Sequence, residues 1–400
     1  LSAFTENIVL DGSDAELAKI KSIVGEKTDP ADPFPTLNGY VYVHNYLTAF
    51  TFSGLIVAGS NAGTGLVRFE NNNGALTLKD LEVTNSGVNG HGVFVTQHTG
   101  AVTLTNVQAN DNNGVGIYVD NSTGTGNISL THCAANRNGA DTDSDGMTIV
   151  SRGVVNLISV SSNSNTMYGA YINAKSLTAK SGAFNDNGDT SGYGLYFTAY
   201  DPGSGSLRGS ALLENVTASG NVDDGIYLFV NGSISLNAVN ASHNQKNGAT
   251  LNNCYRSGSA CLFPGATVNV RSSRFTDNAQ TGGNYGLTVL SNGAITLSDV
   301  WADANGDAGT TQTGHGAYIS TEYASNAPIN ITASHFNGNY GNGATLSASG
   351  TVTLRDLEAS SNLNSGYGLK VNSTYGNGSV TLSSSSGVWN RFNSNTDSDR

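Results

Sequence analysis

The sequence predicts an all-β chain, a parallel β-solenoid of about 12 to 14 coils with a strand and a helix closing its N-terminal end. Three observations predict it. Segments that read Gly-small-Val/Ile-Thr/Ser-Leu align at Leu78, Leu104, Leu130, Leu157, Ala179, Leu213, Leu236, Val270, Leu297, Ile331, Leu354 and Leu382, about 28 residues apart on average, a solenoid-sized period. Each unit carries two strand signals with period-two alternation, the first as in Ala101–Val107 and the second as in Gly116–Val119, where a glycine opens the strand as if at a tight turn. Eight residues after the aligned position stands an asparagine in eleven of twelve units: Asn112, Asn138, Asn165, Asn187, Asn221, Asn244, Asn278, Asn305, Asn339, Asn362 and Asn390, with Ser86 the exception. Asparagine tolerates left-handed backbone at a sharp turn, and amides stacked coil over coil bond along the stack.

In chain order, residues 1–35 read as a cap. Ser13-Asp-Ala-Glu16 has the form of a capping box, and Leu17, Ile20 and Val24 fall on one face of a short helix ended by Gly25. A linker follows from Lys27 to Pro35, with three of the six prolines. Residues 36–400 form the repeat domain, whose early coils, around Val41, Val43 and Leu55–Val57, are irregular. Towards the other end Gly378–Leu382 is still a repeat strand, so either a head-to-tail contact with a second copy or a continuation of the chain is expected there.

Composition narrows the function. Fifty glycines and only 12% charged residues, beside 38% hydrophobic residues in short β-branched and aromatic clusters, suit many short strands rather than disorder. A net charge of −12 without a basic stripe argues against nucleic acid, and no apolar run is long enough to insert in a membrane. Cys254 and Cys261 flank a short insertion, and a disulfide closing it would fit an extracellular location. Cys133 falls on a core position as a buried thiol.

Through the turn asparagines and the Gly-apolar-Tyr/Thr-apolar strands of residues 74–390, the chain resembles the right-handed parallel β-helix superfamily that includes the pectate-lyase-like proteins. The resemblance implies the fold but not an activity, because that superfamily holds lyases, hydrolases, phage tailspikes and bacterial surface proteins. The even repeats look most like the surface proteins.

Four features are candidates for function. Asp141, Asp143 and Asp145, followed by Gly146, match the opening of a calcium loop, although Arg152 stands where an EF-hand needs glutamate. Asp223-Asp224-Gly225, Gly90-His91-Gly92 and Gly314-His315-Gly316 are similar to motifs of pectin-degrading hydrolases, but hydrolysis needs two carboxylates across the sugar bond and the histidines lie coils away from Asp224, so these are read as structural. The middle of the second strand carries a partly aromatic outward stripe, Phe94, Tyr118, Tyr171, Tyr196, Tyr227 and Tyr318, suited to stacking across strands, to a protein partner or to sugar rings. The outward row of the first strand, led by Thr77 and Thr103, is too interrupted, by Asn156, Leu212, Asn269 and Asn330, to be an ice-binding face. Asn-x-Ser/Thr sequons such as Asn121 and Asn372 are expected by chance in this composition. The sequence therefore suggests an extracellular, filament-forming or adhesive surface subunit that is not an enzyme and needs no cofactor other than calcium, with a polysaccharide-binding or polysaccharide-degrading β-helix as the alternative.

Overall fold

The computed structural model describes residues 4–27, 29–59, 64–140, 144–201, 206–207, 209–257, 260–261, 265–281, 284–306, 313–364, 366–373, 375–376 and 378–395. Leu1–Ser206 and Leu207–Arg400 are two compact units, and the chain winds through about 13 turns of parallel β-solenoid with nearly no helix. In residues 1–206 the first sheet runs from Ser22–Val24 through Phe50–Ala58, Leu76–Thr84, Val102–Ala109, Ile128–Thr131 and Val154–Ile158 to Ser176–Lys180. The second sheet there runs from Ile8–Asp11 through Val41–His44, Gly65–Glu70, His91–Thr96, Ile117–Asn121, Met147–Ser151 and Ala170–Asn173 to Leu195–Thr198. In residues 207–400 the first sheet extends from Ala211–Glu214 to Val380–Ser383 and the second from Ile226–Phe229 to Leu369–Asn372. Within each unit the strands pair in parallel with their equivalents one coil on, as Ile128–Thr131 does with Val155–Ile158.

The period-two pattern sets what is inside. Val102 and Leu104, Ile128 and Leu130, Val155 and Leu157 have no exposed surface, while the residues between them face out. One coil cannot bury enough apolar surface to offset the ordering of its own backbone, so its stability comes from the coils above and below. A third, narrower face follows the first sheet, where single parallel bridges join Gln108, Ala134, Ser161 and Ala183 in one unit and His335, Glu358 and Arg391 in the other.

Two left-handed residues per coil bend the chain from face to face. One stands two places after the aligned position, at Asp80, Asn106, His132, Ser159, Ser181, Asn215 and onward; the other stands just before the ladder asparagine, at Asp111, Arg137, Ser164, Asp186, His243 and Asp277. The ladder asparagines themselves have no positive φ. Their role is therefore hydrogen bonding rather than tolerance of the turn. Asn112 donates through both its backbone N–H (3.0 Å) and Nδ2 (3.3 Å) to Oδ1 of Asn138, Asn138 does the same to Asn165, and Asn165 to Asn187. The second unit repeats the pattern through Asn221, Asn244, Asn278, Asn305, Asn339 and Asn362. The Nδ2 group also reaches a backbone carbonyl of the preceding coil, from Asn244 to Ala218 at 3.0 Å and from Asn278 to Ala241 at 3.0 Å. Ser86 heads the column in residues 1–206 through its own N–H, 3.3 Å from Asn112 Oδ1.

The repeat glycine belongs to the same device. None of these glycines lies in the left-handed region, so a tight turn is not what selects them. A Cβ added at Gly116 would come within 2.5 Å of Asn138 Nδ2, at Gly248 within 2.6 Å of Asn278 Nδ2 and at Gly286 within 2.5 Å of Asn305 Nδ2. The strand opens on glycine because the amide of the next coil occupies that volume.

Two expectations change in the structure. Asn390 is not in the column: five extra residues in the last described coil move the slot to Asn395, whose Oδ1 takes both donors of Asn362, while Asn390 bonds Leu357 N–H and the Ser383 carbonyl. The N-terminal helix is a single 3₁₀ turn, Leu17–Lys19, stabilised by Asp14 Oδ1 at the N–H groups of Glu16 and Leu17 rather than by Ser13. Ser22–Val24, expected in that helix, is instead a strand against Thr51–Ser53, because an isolated short helix is marginal whereas the sheet edge supplies ready partners.

Asn305→Ala would strip the acceptor from the backbone N–H and Nδ2 of Asn278. At about 1–3 kcal/mol for each buried group left unpaired, the expected loss is roughly 2–6 kcal/mol in denaturant unfolding, against about 1 kcal/mol for Asn390→Ala. Equal losses at the two positions would refute the ladder's special weight.

Candidate functional site

The second sheet presents two outward columns. One is the strand-middle stripe, in register as Phe94, Tyr118, Thr148, Tyr171 and Tyr196 in residues 1–206. The other stands immediately before the repeat glycine: His91, Val115, Asp145, Tyr168 and Tyr193. Side chains in this second column accept the N–H of the next coil's residue in the same slot. His91 Nδ1 accepts from Val115 at 3.0 Å, Asp145 Oδ1 from Tyr168 at 3.2 Å, Asp224 Oδ1 from Asn247 at 3.0 Å and His315 Nδ1 from Asn342 at 2.9 Å. The His-Gly and Asp-Gly pairs thus share one structural task. Burial holds the pKa of His91 and His315 down, which keeps the accepting nitrogens unprotonated.

Rings from the two columns pack together. His91, Phe94 and Tyr118 form one stack, with Phe94 and Tyr118 centroids 4.9 Å apart. Tyr168, Tyr171, Tyr193 and Tyr196 form another, with Tyr171 and Tyr196 5.3 Å apart and 7° from parallel. The coil between them carries Thr148 where both neighbours carry rings, and Asp145 between Val115 and Tyr168, so the flanking rings Tyr118 and Tyr171 stand two strand spacings, about 10 Å, apart. Thr148 Oγ1 donates to Asp145 Oδ2 at 2.7 Å. Asp145 is half-buried, and burial outweighs its two hydrogen bonds and pushes its carboxyl up to about 6.

In residues 207–400 the expected stripe is broken, since Thr250 and Thr288 separate Tyr227 from Tyr318. Tyr285, in the column before the glycine, bridges part of the gap by stacking on His315 at 4.9 Å and packing against Tyr318 at 5.7 Å. Asp224 is raised by burial as well, yet it is only 5% exposed and its oxygens already take the Thr250 hydroxyl (2.6 Å) and both the N–H and Nδ2 of Asn247. Asp223 pairs with Lys246. Asp145 is the more open of these two raised carboxyls and holds fewer donors.

Of the calcium-loop candidates, Asp141 and Asp143 lie outside the described residues, and both oxygens of Asp145 hold hydrogen bonds within the protein. Among the described residues no group of three or more His, Cys, Asp or Glu is placed to hold a metal ion. Cys254 and Cys261 form a disulfide with Cα atoms 5.0 Å apart, closing a small antiparallel pair of strands. Cys133 is buried and its thiol is pushed up to about 11, chiefly by burial. Among the described residues no helix is long and apolar enough to cross a membrane.

No protein-family model and no curated protein matches the chain. Solved structures similar to it include the A-modules of two mannuronan C-5 epimerases of Azotobacter vinelandii. AlgE4 matches at 12% identity and TM-score 0.39, over 98% of this chain and 91% of that one. AlgE6 matches at 14% identity and TM-score 0.39, over 95% and 91%. The periplasmic alginate epimerase AlgG matches at 10% identity and TM-score 0.37, over 91% and 83%. The expectation that the chain is not an enzyme is corrected here: these similar structures are enzymes, and the fold gives no ground for setting catalysis aside.

The raised carboxyl has a stability signature. Asp145 binds its proton more tightly folded than at its ordinary value of 3.8, so its contribution is fully present below pH 3.8 and is lost as pH rises through about 6. Asp145→Asn should therefore raise the melting temperature at pH 7 and leave it unchanged near pH 3.8. A loss of stability at pH 7 would show that the carboxylate is held for structure.

Proposed function

We propose that the protein binds a polysaccharide along the second sheet of residues 1–206 and modifies it by acid–base chemistry at Asp145. The observation that carries this reading is a single half-buried carboxyl, shifted to about 6, lying between two stacks of aromatic rings. Half-buried tyrosines offer flat apolar area with a polar tip, which suits the faces of sugar rings. A carboxyl that titrates near neutrality is able both to give and to take a proton at working pH.

A surface or filament subunit explains less. A protein made for stiffness has no use for a carboxylate that weakens the fold near neutral pH, whereas sites that handle substrate often hold such groups. Among the described residues, the strand carboxylate of the neighbouring coil is not placed to pair with Asp145 for hydrolysis. Asp120, in the neighbouring coil, lies five register positions along the strands from Asp145, on the order of 16 Å and beyond the spacing of about 5–9.5 Å that such a pair needs. Groups nearer Asp145 are the Thr148 hydroxyl and the backbone N–H of Tyr168. The disulfide supports an oxidising, extracytoplasmic compartment.

Incubation with neutral and uronate polymers separates the outcomes: new reducing ends mark hydrolysis, unsaturated ends mark elimination, and altered sugar signals without new ends mark epimerisation. Asp145→Asn should lower turnover at least about a hundredfold while the polymer still binds, the usual range for losing an acid–base group. The wild-type rate should change with a midpoint near the carboxyl's value of about 6. A rate that is flat with pH across that value, or an Asp145→Asn protein of full activity, would refute the assignment.

A further inference from the structure

The narrow third face is bland in residues 1–206, where its outward slot holds Glu82, Gln108, Ala134, Ser161 and Ala183. In residues 207–400 the same slot holds Arg274, Trp301, His335, Glu358 and Arg391 in consecutive register. These side chains engage one another. The Arg274 guanidinium lies 4.8 Å over the Trp301 ring, the Trp301 and His335 rings stack at 4.0 Å, and His335 Nδ1 is 3.3 Å from Glu358 Oε2. Beside them lies an open hollow of about 410 Å³, lined in part by Val388 and Trp389, the latter 73% exposed. That volume falls in the range of about 300–1,000 Å³ typical of small-ligand sites.

We infer that this cavity is a second, separate saccharide site that takes a neutral sugar ring or the end of a neutral glycan. Its polar groups are one imidazole, one carboxylate and one guanidinium, those of His335, Glu358 and Arg391. The other acid on its wall, Asp356, is already taken by the N–H and hydroxyl of Ser385. Asp356 also lies 3.4 Å from the Arg355 guanidinium, so two carboxylates stand against two guanidiniums with no net charge to draw an ionic ligand, and three convergent polar groups are too many for an apolar one. An exposed indole beside a carboxylate and a guanidinium fits a ring with an apolar face and a rim of hydroxyls. The five extra residues that displace Asn390 from the ladder supply this wall, because Gly387, in the left-handed region, and the turn from Ser385 to Val388 carry Trp389 to the cavity.

Both of the chain's two tryptophans lie at this cluster and neither lies on the second sheet, so indole emission reports this site and not the proposed polysaccharide strip. In the Trp301→Phe protein, Trp389 is the sole indole. Titration with cellotriose, maltotriose or mannotriose should shift its emission saturably with at least one of them. Glu358→Gln and Arg391→Met should each weaken that affinity about tenfold with the far-ultraviolet circular dichroism unchanged, and Asp145→Asn should leave it as it was. Absence of any saturable shift, tighter binding of trigalacturonate than of every neutral sugar, unaltered affinity in both Glu358→Gln and Arg391→Met, or loss of the shift in Asp145→Asn would each overturn the inference.

Discussion

An amide in each coil that receives two hydrogen bonds from the coil before it is the constraint on which the rest of the structure depends. Each asparagine of the ladder from Asn112 to Asn362 is fully buried or nearly so, which removes water as an alternative partner and makes the bond to the adjacent coil obligatory. The amide also fixes spacing, because its oxygen must lie within hydrogen-bond reach of both a backbone N–H and an Nδ2 one coil away. Glycine at the mouth of the second strand then follows from the volume the amide occupies. Two features that look independent in the sequence are one physical object.

With register held from inside, the outer face is released from structural duty. A strand-middle position tolerates Phe94, Tyr118, Thr148 or Tyr171 in successive coils without a change in register. The column before the glycine is less free, since its side chain accepts the N–H of the next coil where it is able to. Histidine, aspartate and asparagine all meet that need, and aspartate alone brings a titratable carboxyl into half-buried surroundings. Asp145 thus holds a place where a neutral asparagine would serve the fold equally well.

Much of the fold was legible in the sequence, for a stated reason. Period-two alternation and the recurring asparagine are consequences of coil-on-coil stacking, and stacking imposes them at every turn. What was not legible depends on local length. Counting eight residues from Leu382 lands on Asn390, but the loop around Gly387 is longer than its counterparts and the slot belongs to Asn395. Leu17, Ile20 and Val24 have helical spacing, yet the edge of the first sheet competes for the same residues and takes Ser22–Val24. The stripe Phe94, Tyr118, Tyr171, Tyr196 was readable from the strand pattern, whereas its partners His91, Tyr168, Tyr193 and Tyr285 were not, because they precede the glycine and lie outside the alternation. Their position directly before the repeat glycine was the available signal.

The two units place their chemistry differently, and the difference follows from what each face can carry. The second sheet in residues 1–206 has broad, evenly spaced positions in which rings lie side by side, a surface suited to a long repetitive ligand. The third face in residues 207–400 is only four residues wide in a coil, as Val300–Asp303 between the left-handed Asp299 and Ala304, too narrow for a strip. Lengthening a single turn gives that face a wall, and a row of stacked side chains becomes one side of a cavity. In a solenoid whose interior is locked by repeated amides, loop length is thus the cheapest variable that converts a flat face into a pocket, since a few added residues cost little in closure entropy and leave the ladder continuous through Asn395.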